Sequence, residues 1–251
     1  MQSRDPDAAS APLVGLAERY EAGVAPPHAH ARAQLMYAVQ GSMTVMAGQG
    51  SWVLPPSRAL WLPSGVTHSL KVRRFAELRT LYLDQHAGWL EEMAAPRVLQ
   101  VGPLMRELVL AAVEAPWTYP PDSPSQRLAR VVCDRIAFMP SEPVHLPDLT
   151  DPRAKRLAAI YYANPADRRR LVDLASETGA SARTLERLFA SETGLSVGAW
   201  AKRLRLMFAL ERLSDGSSVG DAAFAVGFDN PSSFIAAFKQ HFGVTPARYF
   251  A

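Results

Sequence analysis

The same local pattern occurs twice in the last third of this 251-residue chain, and it restricts the fold more than any other feature of the sequence. Each copy runs from an apolar helical stretch with a small residue, through a glycine, to a second apolar stretch. The glycine can adopt the left-handed conformation of a tight turn, and the small residue lets the second helix pack closely across the first. Two helix-turn-helix motifs are therefore predicted, marked by Ala175, Gly179 and Leu185 and by Ala223, Gly227 and Phe234.

A long amphipathic helix is predicted between the motifs, over about 197–213. Ser181 is predicted to cap the second helix of the first motif. Asn230-Pro231, a capping side chain before a proline, predicts the start of the corresponding helix in the second motif. Asn164-Pro165 repeats this pair and predicts a further helix start. The C-terminal part is therefore expected to be all-α.

Composition favours a folded protein with an uneven charge. Hydrophobic residues make up 48% of the chain and charged residues 20%, which excludes a disordered protein. No apolar run could span a membrane, no signal-peptide pattern is present, and the single Cys133 excludes an internal disulfide, so we expect a cytoplasmic protein. Residues 153–251 carry 14 basic and 9 acidic residues, whereas the rest carry 13 and 15. A basic C-terminal part favours a polyanionic partner.

The first third of the chain has the periodicity of short strands. Glycine and proline turns separate its apolar runs, which predicts a β-sandwich or a small barrel. The predicted strands lie at 35–39, 43–46, 52–54, 59–62 and 77–83.

Helical spacing of apolar residues then predicts two helices, within 101–112 and 128–139. The proline-rich segment 140–152 cannot continue a helix and is predicted to be a linker. The fold class is therefore α+β and multidomain, with a β-rich domain and its helices at 1–139 and a helical domain at 153–251.

Short sequence motifs lie within and beside the two predicted helix-turn-helix motifs: Ala182–Phe189, Glu192–Gly194, Arg203–Leu206, Val226–Phe228, Phe234–Lys239 and Phe242–Tyr249. With these motifs, the whole helical domain resembles the DNA-binding domain of the AraC/XylS family of bacterial transcription regulators. The resemblance implies two recognition helices in successive major grooves, about 10 base pairs apart. It also implies a regulator, either an activator or a repressor, that acts on promoter operator sites in double-stranded DNA. RNA polymerase and a small-molecule effector are its further implied partners.

The first recognition helix is predicted in the second helix of the first motif. Its apolar positions face the core, which leaves Arg183, Thr184, Glu186 and Arg187 outside. Arginine can bind O6 and N7 of guanine with two donors, and glutamate can accept from cytosine N4. The alternative for these residues is a solvated charged surface.

The second recognition helix presents smaller groups, which discriminate less between bases. Basic residues elsewhere in the helical domain, including Arg168–Arg170, are predicted to contact phosphates, with a solvent-facing role as the alternative. The predicted DNA-binding residues are Ser181, Arg183, Thr184, Glu186, Arg187, Lys202, Arg205, Asn230, Ser232, Ser233 and Lys239.

Three histidines in the β-rich part form a candidate metal site. His28 and His30 would project from one face of an extended segment, and His68 follows a turn at Gly65. These positions, with Gln34, resemble the two sequence motifs of the cupin family, in which they are metal ligands and the position of Gln34 is acidic. Three imidazoles without the carboxylate can hold zinc or nickel. The alternative is a polar effector pocket or a set of structural histidines.

Together these features predict a transcription regulator with an N-terminal cupin-like sensor domain and a C-terminal double helix-turn-helix domain, and not an enzyme. The two helices within 101–139 have apolar faces suited to a homodimer or to covering the sheet. One alternative is a metal-dependent cupin isomerase or dioxygenase with a helical appendage, which the missing carboxylate disfavours. A DNA-bending protein with little sequence preference is the other, and the modest basic charge disfavours it.

Overall fold

The computed structural model describes residues 5–48, 50–56, 58–90, 93–142 and 145–250. The chain divides into two compact units, Met1–Gly48 with Leu54–Pro143 and Gln49–Val53 with Val144–Ala251. The division falls inside the predicted linker, but this segment also contains two short strands. Nothing in the sequence pattern predicts that residues near 50 group with the C-terminal unit. The α+β multidomain class is confirmed.

The strands are β1 Leu13–His28, β2 Ala33–Ala47, β3 Gly50–Leu54, β4 Arg58–Leu62, β5 His68–Leu83, β6 Arg97–Gln100, β7 Ser141–Glu142 and β8 His145–Pro147. An antiparallel sheet forms the N-terminal unit, with its strands in the order β1-β5-β2-β4-β6-β7. Strands β7 and β8 are only two and three residues long, and β8 pairs with β3 in the C-terminal unit.

The three long strands, β1, β2 and β5, bend where β1 and β2 pair with residues 72–76 of β5. Register shifts interrupt the β1–β5 ladder at Glu21/Gly23 and the β2–β5 ladder between residues 38 and 43. Gly41 lies at this bend with a φ of 73°. A Cβ atom there would lie 2.1 Å from the carbonyl oxygen of Phe75, so only glycine fits.

The bend brings the two ends of β5 close together. His28 pairs with His68 at one end of β5, and Ala33 pairs with Leu83 at the other. The connection from residue 28 to residue 33 can span at most about 18 Å. If β5 were straight, its 16 residues would separate its two ends by about 50 Å. The strand must therefore fold back, which places segments that are distant in sequence at one site.

The helices are α1 Pro103–Glu114, α2 Pro124–Ala137, α3 Pro152–Ala163, α4 Leu171–Thr178, α5 Ala182–Thr193, α6 Val197–Ser214, α7 Val219–Ala225, α8 Pro231–Phe242 and α9 Pro246–Tyr249. Helices α1 and α2 confirm the two predicted helices. They pack on the sheet through Val109, Val132 and Cys133, which share a core with Trp61. Burial raises the pKa of the Cys133 thiol to about 12, so it stays protonated at neutral pH. No helix in the described ranges is long and apolar enough to cross a membrane.

The C-terminal unit contains both predicted helix-turn-helix motifs, formed by α4 with α5 and by α7 with α8. The predicted helix start at Asn164-Pro165 is wrong. Asn164 instead ends α3, and its side chain accepts a hydrogen bond from the N–H of Ala166. This local bond stabilises a turn, and α4 begins only at Leu171.

Candidate DNA-binding surface and three-histidine site

Helix α5 has the ends and the buried face that the sequence predicts. Ser181 caps it by accepting a hydrogen bond from the N–H of Thr184 at 3.2 Å, and Gly194 ends it in the left-handed conformation. Leu185 and Phe189 are fully buried. These contacts fix which face of α5 remains open.

Two arginines dominate the open face of α5. Arg183 and Arg187 are exposed, and neither guanidinium makes a hydrogen bond or an ion pair with a residue in the described ranges. Thr184 lies beside Arg183, and its hydroxyl is 3.0 Å from that of Ser181. The two guanidinium groups are therefore free to bind a ligand.

Glu186 makes a contact within the protein, and its predicted base contact stays a prediction. Its Oε2 accepts a hydrogen bond from the N–H of Val197 at 3.1 Å. Val197 is the first residue of α6, where backbone N–H groups lack partners within the helix. Glu186 therefore joins α5 to the start of α6.

The structure also gives Arg205 a role other than phosphate contact. From α6, its Nε donates to the carbonyl oxygen of Pro165 at 2.8 Å, and its Nη2 donates to that of Asp167 at 2.7 Å. Its side chain is half-buried. These two bonds hold the segment between α3 and α4 against α6.

The three arginines of this segment, Arg168–Arg170, are paired with acidic side chains, and their predicted phosphate contacts stay a prediction. Arg169 pairs with Asp167 at 2.7 Å and with Glu177, and Arg170 pairs with Asp173. Arg168 binds Asp229, which lies in the turn of the second motif. In the folded protein, each of these three arginines therefore has an acidic partner that the sequence alone does not reveal.

The second motif has the predicted buried face and a smaller polar face. Asn230 caps α8 by accepting a hydrogen bond from the N–H of Ser233 at 2.8 Å. Ser232, Ser233 and Lys239 are exposed on α8. Lys202 on α6 lies beside this helix, with its Nζ 3.2 Å from Oε1 of Gln240. Short side chains therefore make up most of the open face of α8.

The N-terminal unit brings the three predicted histidines together. His28 ends β1, His68 begins β5, and His30 lies in the connection to β2. One ring nitrogen from each histidine lies within 4.8 Å of those of the other two. Burial lowers the pKa of His68 to about 4, so its imidazole is uncharged at neutral pH.

Gln34 lies next to this cluster but is connected to it through Tyr82. It is buried in β2 opposite Tyr82, and its amide hydrogen-bonds with the tyrosine hydroxyl. The ring of Tyr82 packs edge-on against His30, 5.1 Å between centroids. Oε1 of Gln34 has no hydrogen-bond partner in the described ranges.

Asp7 is a site residue that sequence reasoning missed. Its carboxylate accepts hydrogen bonds from the N–H groups of Ala31 and Arg32, at 3.0 and 3.2 Å. Its Oδ2 also lies 3.6 Å from Nδ1 of His30. No local sequence pattern predicts this contact, because Asp7 lies 23 residues before His30 and comes close to it only in the folded chain.

A strongly bent sheet with its helices, followed by two helix-turn-helix motifs, defines a two-domain DNA-binding regulator. Comparison with known families agrees: residues 10–142 match the AraC-like ligand binding domain, and residues 174–251 match a helix-turn-helix domain. The chain belongs to the AraC family of transcriptional regulators.

Individual relatives are also transcription regulators. The chain is 33% identical to the HTH-type transcriptional regulator NimR of Escherichia coli over 90% of its own length and 82% of that protein. It is 32% identical to the HTH-type transcriptional activator RhaR of Pectobacterium carotovorum over 51% of its length and 47% of that protein. The solved structure of ToxT from Vibrio cholerae covers 96% of this chain and 98% of its own, with 12% identity and a TM-score of 0.40.

Proposed function

We propose that this protein is a sequence-specific, double-stranded-DNA-binding regulator of bacterial promoters, controlled by a ligand of its N-terminal domain. The observation that carries the proposal is the open face of α5, where Arg183 and Arg187 have no partner within the described ranges. Arg168–Arg170 and Arg205 are instead paired with acidic or backbone groups. Activation of transcription is the direction we favour, because RhaR is named as an activator.

The chemistry of α5 suits base recognition. An arginine that is not held by its own protein can donate two parallel hydrogen bonds to O6 and N7 of guanine. Ser181 and Thr184 at the start of the helix can add contacts to phosphate, since helix N-termini favour anions. The first motif would therefore carry most of the specificity, and the serines and Lys239 of α8 would mainly position the protein.

The spacing of the two motifs suits one face of the DNA. Helix α6 connects them with 18 residues, which corresponds to a length of about 27 Å. Glu186 and Arg205 fix the N-terminal half of α6 to the first motif and to the segment before it. We propose that this rigid connection places the two recognition helices one helical turn of DNA apart.

A homodimer is part of the proposal. Leu104 on α1, Val131 on α2 and Phe138 at the end of α2 are 60%, 44% and 79% exposed. These exposed apolar side chains lie on two helices that pack together, and we infer that they form an interface with a second copy. Two copies would bind two operator sites, and RNA polymerase would be the further partner at the promoter. DNA binding places this action in the bacterial cytoplasm.

The experiment is enrichment of genomic DNA fragments by the full-length protein, followed by footprinting at two salt concentrations. We expect a few discrete sites, each protected over two adjacent major grooves, that persist at the higher salt. Arg183→Ala and Arg187→Ala should lose these sites, and Arg135→Ala, which removes an exposed arginine of α2, is the control for a general loss of charge. Uniform protection that disappears with salt would instead indicate non-specific, electrostatic binding.

A further inference from the structure

The three histidines lie at one point but come from separate parts of the chain. The ring centroids of His28 and His68 are 4.3 Å apart, and that of His30 lies 5.2 and 5.9 Å from them. The bend at Gly41 and the short connection after β1 bring them together. One ring nitrogen from each of the three histidines lies within 4.8 Å of those of the other two, which makes the cluster a candidate site for a shared ligand.

Outer contacts fix the orientation of each ring. Nδ1 of His28 lies 2.9 Å from the carbonyl oxygen of Pro26, and Nδ1 of His68 lies 3.0 Å from that of Val66. A carbonyl oxygen can only accept, so in the neutral rings Nδ1 carries the proton and Nε2 keeps its lone pair. Metal-binding histidines in proteins have the same outer hydrogen bond.

Asp7 provides the equivalent contact for His30. Its Oδ2 is 3.6 Å from Nδ1 of that ring, which is longer than a hydrogen bond but close enough to favour a proton on Nδ1. The N–H groups of Ala31 and Arg32 hold the carboxylate in place. All three Nε2 atoms are thereby left to bind a common ion.

The donor set determines the class of ion. Three imidazole nitrogens suit zinc, cobalt or nickel, whereas calcium and magnesium require oxygen ligands. Tetrahedral coordination at about 2.0–2.1 Å places ligand atoms about 3.4 Å apart. The observed separations of up to 4.8 Å can therefore be closed by small ring movements.

We propose that His28, His30 and His68 bind one divalent transition-metal ion and that Asp7 orients His30 for this purpose. The ion is the regulatory ligand of the N-terminal domain, a role that rests on the proposed function. Three protein ligands leave a fourth position for water or for an effector with a lone pair. Asp7 is a positioning residue, because it contacts the metal-binding ring and not the ion.

The test is titration of the metal-stripped full-length protein with Co²⁺, followed by its visible absorption, and then with Zn²⁺ in competition. We expect one ion per chain and an intense tetrahedral cobalt spectrum. His28→Ala and His30→Ala should each weaken binding by more than roughly 100-fold, and Asp7→Asn by about 10–100-fold. His86→Ala is the matched control, because His86 is exposed in the same unit and lies outside the cluster.

DNA binding is measured separately on the genomic fragments enriched above, with and without Zn²⁺. We expect the ion to change DNA affinity several-fold in the wild-type protein and in His86→Ala, but not in His30→Ala. Failure of the metal to bind, with DNA binding intact, would overturn the metal site alone. Metal binding with unchanged DNA affinity would overturn its regulatory role. Loss of specific DNA binding in every metal state would instead refute the proposed function. Circular dichroism of each variant shows whether it is folded.

Discussion

Replacing Arg205 with alanine should destabilise the helical unit without changing how the folded protein reads DNA. The substitution removes two charge-assisted hydrogen bonds, to the carbonyl oxygens of Pro165 and Asp167. Each bond of this kind contributes about 1.5–3 kcal/mol to stability. Because Arg205 is half-exposed, water replaces part of this contribution, and we expect the free energy of unfolding to fall by about 2–3 kcal/mol.

Arg187→Ala is the matched substitution, with the same change of side chain on a neighbouring helix. Arg187 is exposed and has no partner within the described ranges, so its loss should change stability by less than about 0.5 kcal/mol. Urea unfolding of both full-length variants, followed by far-UV circular dichroism, compares the two effects. DNA affinity is then measured where both variants are fully folded. Unchanged stability of Arg205→Ala with weaker binding to all sequences would show that Arg205 is a phosphate contact after all.

Three further predictions concern the rest of the molecule. Gly41→Ala should destabilise the N-terminal unit by more than about 2 kcal/mol in urea unfolding, because a Cβ would clash with Phe75 at positive φ; an unchanged midpoint would contradict the bend. Phe138→Glu should convert a dimer to a monomer in sedimentation at micromolar concentration, whereas a wild-type monomer would contradict the interface. Burial and Arg203 lower the pKa of His145, so the unfolded state binds more protons than the folded state. The free energy of unfolding should therefore fall as pH drops below about 6.5. His145→Gln should reduce this pH dependence, measured as the urea midpoint at each pH.

Local signals made the helical unit predictable from sequence. Gly179 and Gly194 take the left-handed conformation, and Ser181 and Asn230 cap helices, because these residues act on their own neighbours in the chain. The exposure of Arg187 also followed, since helical periodicity alone determines which side faces the core. Local chemistry was sufficient for these caps and turns, but not at Asn164, whose side chain bonds to the N–H of Ala166 and stabilises a turn instead of a helix start.

Non-local contacts account for part of what sequence reasoning missed. Arg205 binds carbonyl groups 38 and 40 residues away, so its charge appeared available when only the sequence was considered. Strand β1 was not predicted because much of it is exposed, with Pro26 and Pro27 near its end. An edge strand tolerates such residues, since one side of its backbone needs no partner.

The histidine site lies between these two cases. The pair His28 and His30 was visible as an alternating pattern, and its convergence with His68 is confirmed. The contact that orients His30 could not be predicted, because it depends on the position of Asp7 in the folded chain.

The most direct test of DNA reading by α5 is the base-preference profile of Arg187→Ala. Affinities of the wild-type and variant proteins are measured on an enriched site and on all its single-base substitutions, at one fixed salt concentration. We expect the variant to lose about 1–3 kcal/mol on the original site and to lose its preference at one or two positions. Ser232→Ala should lose less, because its hydroxyl offers fewer and shorter contacts. A uniform loss for Arg187→Ala, with every base preference kept, would make Arg187 a backbone contact and contradict recognition by this helix.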